Sequence, residues 1–209
     1  EVEFDLPVGF TIDSIFYPTP EKLAEGDMVT YGYSDTVYFF VDLKTNDNLP
    51  FGEYKIKAKA NWLVCKNICL PGSDEFEFSI KVGDEEHFNL KNKDEVLRFI
   101  QAHRMPLPKK ISGLKAKSYD EFILLGIQPL DYFLDFDHLK ETIEFYPYEG
   151  GYFSASKEQK LSPIKMNYQL TIPYDEYQIA EPKSLYGLLV RRSKITNKTE
   201  SYQIDVTIE

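Results

Sequence analysis

The sequence predicts an all-β protein built as two β-sandwich domains, with one short helix near the connector between them. Three observations predict it. Apolar and polar residues alternate with period two along much of the chain, turn residues punctuate these runs at short intervals, and one segment alone carries helical spacing.

Residues 2–6 and 11–17 give the first two strands, and Pro18-Thr-Pro20 ends the second. A third is expected over 36–43, closed by Asn46-Asp-Asn48. The clearest follows, where Tyr54, Ile56, Ala58 and Ala60 interleave with Lys55, Lys57 and Lys59, as in a strand with one wet face. Phe76, Phe78, Ile80 and Val82 repeat the period after a turn signal at Pro71-Gly72. Asn92 with Glu95 forms a capping pair ahead of Val96, Leu97 and Ile100, which predicts a helix over 93–104. Pro106 and Pro108 stop it, and 106–110 reads as an extended connector. Strands are then expected over 121–127, 142–146, 164–172, 184–191 and 202–208, with Gly150-Gly151 as a turn. The domain boundary falls at the connector, giving a cysteine-bearing domain over 1–104 and a cysteine-free domain over 105–209.

At 209 residues, with 43% hydrophobic and 15% aromatic content, the chain is long and apolar enough to fold as one large or two small domains. A formal net charge of -10 argues against a phosphate-tracking surface, so no nucleic-acid partner is expected. No apolar run approaches the roughly 20 residues that span a bilayer. The chain opens at Glu1 rather than methionine and reads as a processed or excised fragment.

The chemistry concentrates at Cys65 and Cys69, the only cysteines. Bridged cysteines need Cα atoms about 4.4–6.8 Å apart, whereas four residues of extended strand span about 13 Å, so Lys66-Asn67-Ile68 must bend. Pro71 is expected to end regular pairing just beyond the second sulfur. A bridge closing so short a loop stabilises by only about 2 kcal/mol in the chain-entropy model, which suits a working redox pair better than a staple. Lys66 between the sulfurs favours thiolate, the nucleophilic form, and Trp62, Leu63, Val64, Ile68 and Leu70 offer an apolar surround. A structural bridge and a pair of buried free thiols remain open as alternatives.

Other groups offer less. A zinc site wants four ligands, and His87, His103 and His138 are scattered singly. The acidic clusters at 84–86 and 131–137 lack the spaced pattern of a calcium loop and read as solvated surface. Asn197-Lys-Thr199 fits the glycosylation triplet, a pattern common by chance. Tyr31 and Tyr33 either pack over a functional site or fill a sandwich face.

The stretch Ala60-Asn-Trp-Leu-Val-Cys-Lys-Asn-Ile-Cys-Leu-Pro-Gly72 resembles the cysteine motif of the N-terminal periplasmic domains of the DsbD/ScsB family of thiol:disulfide interchange proteins. The likeness extends through Phe4 to Phe10, which resembles the family's W-x-L-P-x-G-F stretch, then Tyr17-Pro-Thr-Pro-Glu-Lys22 and Val29-Thr-Tyr-Gly-Tyr33. Met105-Pro-Leu-Pro108, Phe145-Tyr-Pro147 and Leu185-Tyr-Gly-Leu-Leu-Val190 resemble the second, cysteine-free domain of the ScsB-like branch. The family usually has further strands before the Leu-Pro-x-Gly-Phe stretch, so the first domain is expected to be trimmed or incomplete at its N-terminus.

The resemblance implies immunoglobulin-like domains that carry reducing equivalents across the bacterial envelope without a cofactor, the protein-disulfide reductase part of a larger relay. The implied partners are thioredoxin-like domains, periplasmic client proteins and a membrane electron-transfer domain of the parent protein. By motif position Cys69 exchanges with the partner sulfur and Cys65 resolves the mixed disulfide. The cap that shields the cysteines in characterised relatives maps onto Val29-Thr-Tyr-Gly32, where Thr30 stands in the aromatic place and leaves Tyr31, Tyr33 or Trp62 to shield.

Overall fold

The structure, a computed structural model, describes residues 1–25, 28–65, 68–83, 108–128, 135–165, 167–178, 180–196 and 198–209. The described residues form fifteen strands and no helix, as the all-β expectation requires. The predicted helix over 93–104, its connector through residue 107, and the acidic run 84–86 lie outside the described residues.

The chain divides into two compact units, one formed by Glu1–Tyr17 and Tyr38–Arg104, the other by Pro18–Val37 and Met105–Glu209. The first contains β1 (Val2–Asp5), β2 (Phe10–Phe16), β5 (Phe40–Thr45), β6 (Gly52–Cys65) and β7 (Cys69–Val82). One antiparallel sheet runs β1-β6-β7 and a second pairs β2 with β5. The period-two pattern of β6 explains both faces of the larger sheet. Ile56 and Ala58 are buried, and Tyr54 meets the buried Phe10 of β2 with ring centroids 5.2 Å apart. On the other face Lys59 reaches the directly opposed Glu75 at 3.6 Å, and Lys55 reaches the diagonal Glu77 at 2.7 Å, so opposite charges pair across the two strands.

The second unit is a sandwich of two four-stranded sheets. One has the order β12 (Lys160–Ile164), β13 (Asn167–Pro173), β10 (Phe122–Ile127), β9 (Lys115–Ser118). The other has β11 (Glu141–Pro147), β14 (Ser184–Ser193), β15 (Thr199–Thr207) and the short β8 (Lys109–Lys110), which runs parallel to β15. Ile123, Leu125, Leu170 and Ile172 from the first sheet share one core with Phe145, Leu185, Leu189 and Ile204 from the second. Gly187 on β14 is required there, because a Cβ would collide with the Tyr146 carbonyl and the Pro147 backbone of β11.

Three expectations change. The single strand over 164–172 is a hairpin, because Lys165 adopts a left-handed φ of 56° and Ile164 pairs with Asn167. The strand over 36–43 begins only at Phe40, after Asp35 turns with a φ of 59°. Most consequentially, residues 18–37, expected within the first domain, cluster with the second unit. They carry a hairpin of β3 (Glu21–Glu25) and β4 (Met28–Gly32) that covers the outer face of β11 and β14. Tyr146, Leu188 and Val190 on that face are at most 2% exposed, with Tyr31 packed on them at 4.4 Å from the Tyr146 ring. Lys22 pairs with Glu144 at 3.2 Å, and Thr19 donates to the Ser201 hydroxyl. The physical reason is the apolar run of β14, which buries residues on both faces of its sheet and so needs a second cover.

Candidate functional site

The far end of the β6–β7 hairpin holds the cysteines. Fourteen residue pairs run without a register break from Gly52 opposite Val82 to Cys65 opposite Cys69, and the two sulfurs are joined with the Cα atoms 4.1 Å apart. That short separation follows from the ladder. Asn61 bonds Glu1 through both its N–H and its carbonyl, so its backbone groups point away from β7. With period two, Leu63 and Cys65 point the same way, which makes Cys65 and Cys69 a non-hydrogen-bonded pair, the kind whose Cα atoms approach to about 4.5 Å. The same parity turns the nitrogen of Pro71 outward from the pairing side. Pro71, expected to end the pairing, instead lies opposite Leu63 with β7 continuing through it, because β7 is an edge strand and proline is tolerated there.

Alternation also sorts the neighbours. Leu63 and Pro71 share the face of the sulfurs, whereas Trp62, Val64, Leu70 and Gly72 belong to the opposite face. Trp62 lies across the hairpin on Gly72, where an added Cβ would stand 2.5 Å from its Nε1. Both cysteines are exposed, and Leu63, Ile68 and Leu70 are each more than half exposed. The apolar surround read from the sequence is therefore an open collar around an exposed disulfide. Lys66 lies outside the described residues. The sequence reading missed the Gly72 seat, because Pro71-Gly72 carries the signal of a turn.

The proposed cap residues have other contacts. Tyr31 packs on Tyr146, and its hydroxyl is pushed up to about 12, first by burial and then by the Glu144 charge. Tyr33 donates its hydroxyl to the Pro18 carbonyl at 2.7 Å. Among the described residues no group of three or more His, Cys, Asp or Glu side chains is placed to hold a metal ion.

Two measurements check this geometry. Reduction should cost about 2 kcal/mol or less, since the closed loop is short. Far-ultraviolet circular dichroism should keep its β signal with reductant present, and wholesale loss would mark the bridge as a structural staple. Gly72→Ala should displace the indole while costing only about 0.5 kcal/mol or less, because the added Cβ meets the far edge of a side chain that is nearly half exposed and can swing outward. Because Trp62 is the sole tryptophan, its fluorescence reports the displacement directly.

Residues 1–80 match the family model for the N-terminal part of the thiol:disulfide interchange protein DsbD. The whole chain is similar in fold to the crystal structure of the N-terminal periplasmic domain of ScsB from Proteus mirabilis. That match has a TM-score of 0.56 at 12% identity and covers 99% of this chain and 76% of the other. No curated protein sequence matches the chain. The family match spans both cysteines, and the likeness of fold runs on through the second unit.

Proposed function

We propose that this chain, whose first 80 residues carry the DsbD N-terminal pattern, exchanges disulfides with other proteins through Cys65 and Cys69. The observation that carries this reading is the exposed Cys65–Cys69 bridge at the closing end of the β6–β7 hairpin, within the segment that matches an interchange family. In the reduced form one thiolate attacks a client disulfide, forming a mixed disulfide and releasing a client thiolate. The second thiolate then attacks the chain's own sulfur, closing Cys65–Cys69 and releasing the other client thiolate. Two electrons pass to the client, and a thioredoxin-like dithiol restores the pair by the reverse exchange. We place this activity in the periplasm, between a membrane electron-transfer domain and envelope clients, because the structural relative is a periplasmic domain.

Equilibration of the full chain with glutathione or thioredoxin buffers, followed by thiol alkylation, tests the reading. A relay pair should titrate above about -300 mV. A potential below that range, or no exchange with a thioredoxin-like protein, would identify the bridge as structural and leave a non-catalytic binding module as the function.

A further inference from the structure

Among the described residues β7 pairs only with β6, so its other edge is open. The ladder parity that makes Cys65 and Cys69 a non-hydrogen-bonded pair turns the backbone groups of Cys69, Pro71, Ser73 and Glu75 toward that edge. The Glu75 N–H donates to the Asp74 carboxylate at 2.9 Å, which closes the edge at that point. Before it, Cys69 and Ser73 each present an N–H and a carbonyl without a hydrogen-bond partner among the described residues, and Pro71 presents its carbonyl. All three residues are exposed. Donors and acceptors recurring at every second residue are matched by the backbone of another extended strand.

The sulfurs fix where that strand would lie. A residue opposite Cys69 on the open side forms a hydrogen-bonded antiparallel pair, with Cα atoms about 5.5 Å apart. Bridged cysteines need about 4.4–6.8 Å, so a client cysteine in that place lies at disulfide distance from Cys69. Cys65, Cys69 and the client cysteine then form one row across three strands with their side chains on one face. The Cys69 sulfur, in the middle of the row, can bond either neighbour.

We propose that an extended client segment adds to the edge of β7 as an antiparallel strand, its cysteine opposite Cys69 and the residues before that cysteine running along β7 to Ser73. This rests on the disulfide-exchange reading and deepens it by naming what is recognised. The Cys69 thiolate attacks the client disulfide, forms the Cys69–client bond and releases the other client thiolate. The Cys65 thiolate then attacks the Cys69 sulfur and releases the client cysteine as thiolate, so two electrons pass to the client. The first and third residues before the client cysteine fall opposite Leu70 and Gly72, on the face where the Trp62 indole lies across Gly72, and apolar side chains are favoured there. Pro71 has no N–H to donate, which withholds one bond and lets the segment leave after exchange.

The test uses acetyl-Ser-Leu-Ser-Leu-Cys-amide carrying thionitrobenzoate as a mixed disulfide, with release of the coloured thiolate by the reduced full chain as the readout. In antiparallel pairing the N–H groups of the second and fourth residues before the cysteine point at β7, and those of the first and third point away. N-methylation of the second residue before the cysteine should slow release about fivefold, the usual effect of one lost hydrogen bond, and N-methylation of the third should leave the rate unchanged. The thionitrobenzoate disulfide of N-acetylcysteine amide, which has no backbone to pair, should react more slowly than the parent peptide. Equal rates for the two methylated peptides, or for the parent peptide and the acetylcysteine amide, would overturn the proposal while leaving disulfide exchange standing. No release from any of the four compounds would overturn both.

Discussion

Replacing Arg191 with methionine should destabilise the second unit by about 3–5 kcal/mol, the range for removing one partner from a buried ion pair. The guanidinium side chain is only 8% exposed, yet it is fully engaged. It grips Glu141 with two bonds, Nε to Oε1 at 3.1 Å and Nη2 to Oε2 at 2.7 Å, and reaches Asp135 at 2.9 Å. Glu200 stands 3.8 Å away, and the Phe136 ring lies 5.6 Å from the guanidinium carbon. Burial alone would lower the Arg191 pKa, but the bonds to Glu141 and Asp135 raise it, so the charge is retained. Without it three carboxylates crowd one site. Lysine should not restore the stability, since a single ammonium cannot make the two-bonded fork. Arg191→Met combined with Glu141→Gln should recover part of the loss, because the double variant strands one charge fewer.

Acid provides an independent reading of the same cluster. The Asp135 carboxyl is held below its usual range, first by the Arg191 hydrogen bond and then by its charge. Burial would raise Glu200, but the Lys198 and Tyr202 hydrogen bonds and the neighbouring cations hold it low. Carboxyls depressed on folding stabilise above their unfolded pKa values of about 4 and lose that contribution as pH falls through the folded values. The stability gap between the natural chain and Arg191→Met should therefore narrow below about pH 4 in urea unfolding. A gap independent of pH would show that lost packing, rather than lost charge, dominates the substitution.

Much of the fold is legible where one strand face is wet. The Lys55, Lys57 and Lys59 alternation marks β6, and its partner β7 repeats the period from Phe76 to Val82. The β3–β4 hairpin was not legible, because its short strands carry little alternation and their cover, Tyr146 with Leu188 and Val190, arises more than a hundred residues later. The cysteines themselves were legible from spacing, but their surroundings depended on how far β6 extends. Once β6 continues to Cys65, the parity of positions 62 and 65 puts the indole and the sulfur on opposite faces. Composition alone cannot supply that parity, which is why Trp62 reads as a shield in the sequence and as the occupant of a glycine seat in the structure.

Cys65→Ser should accumulate a covalent complex with a thioredoxin-like partner through Cys69, whereas Cys69→Ser should accumulate little or none. In the reduced Cys65→Ser protein the Cys69 thiolate attacks the partner disulfide, forms the mixed disulfide and releases one partner thiolate. No second thiol remains to resolve it. Placement in the sheet favours this division. Cys69 opens β7, the edge strand, and its backbone groups point outward, so a partner approaching along that edge meets Cys69 first. Cys65 closes β6, the middle strand of the same sheet, and attacks from within the hairpin. The Lys66 charge works in the opposite sense, since it adjoins Cys65 and favours thiolate there. Mass spectrometry of both variants after incubation with an oxidised thioredoxin-like protein separates the two influences. Trapping through Cys69 alone means that access governs the first attack, and trapping through Cys65 alone means that local charge governs it. Equal trapping removes the division of labour, and its absence from both variants counts against disulfide exchange itself.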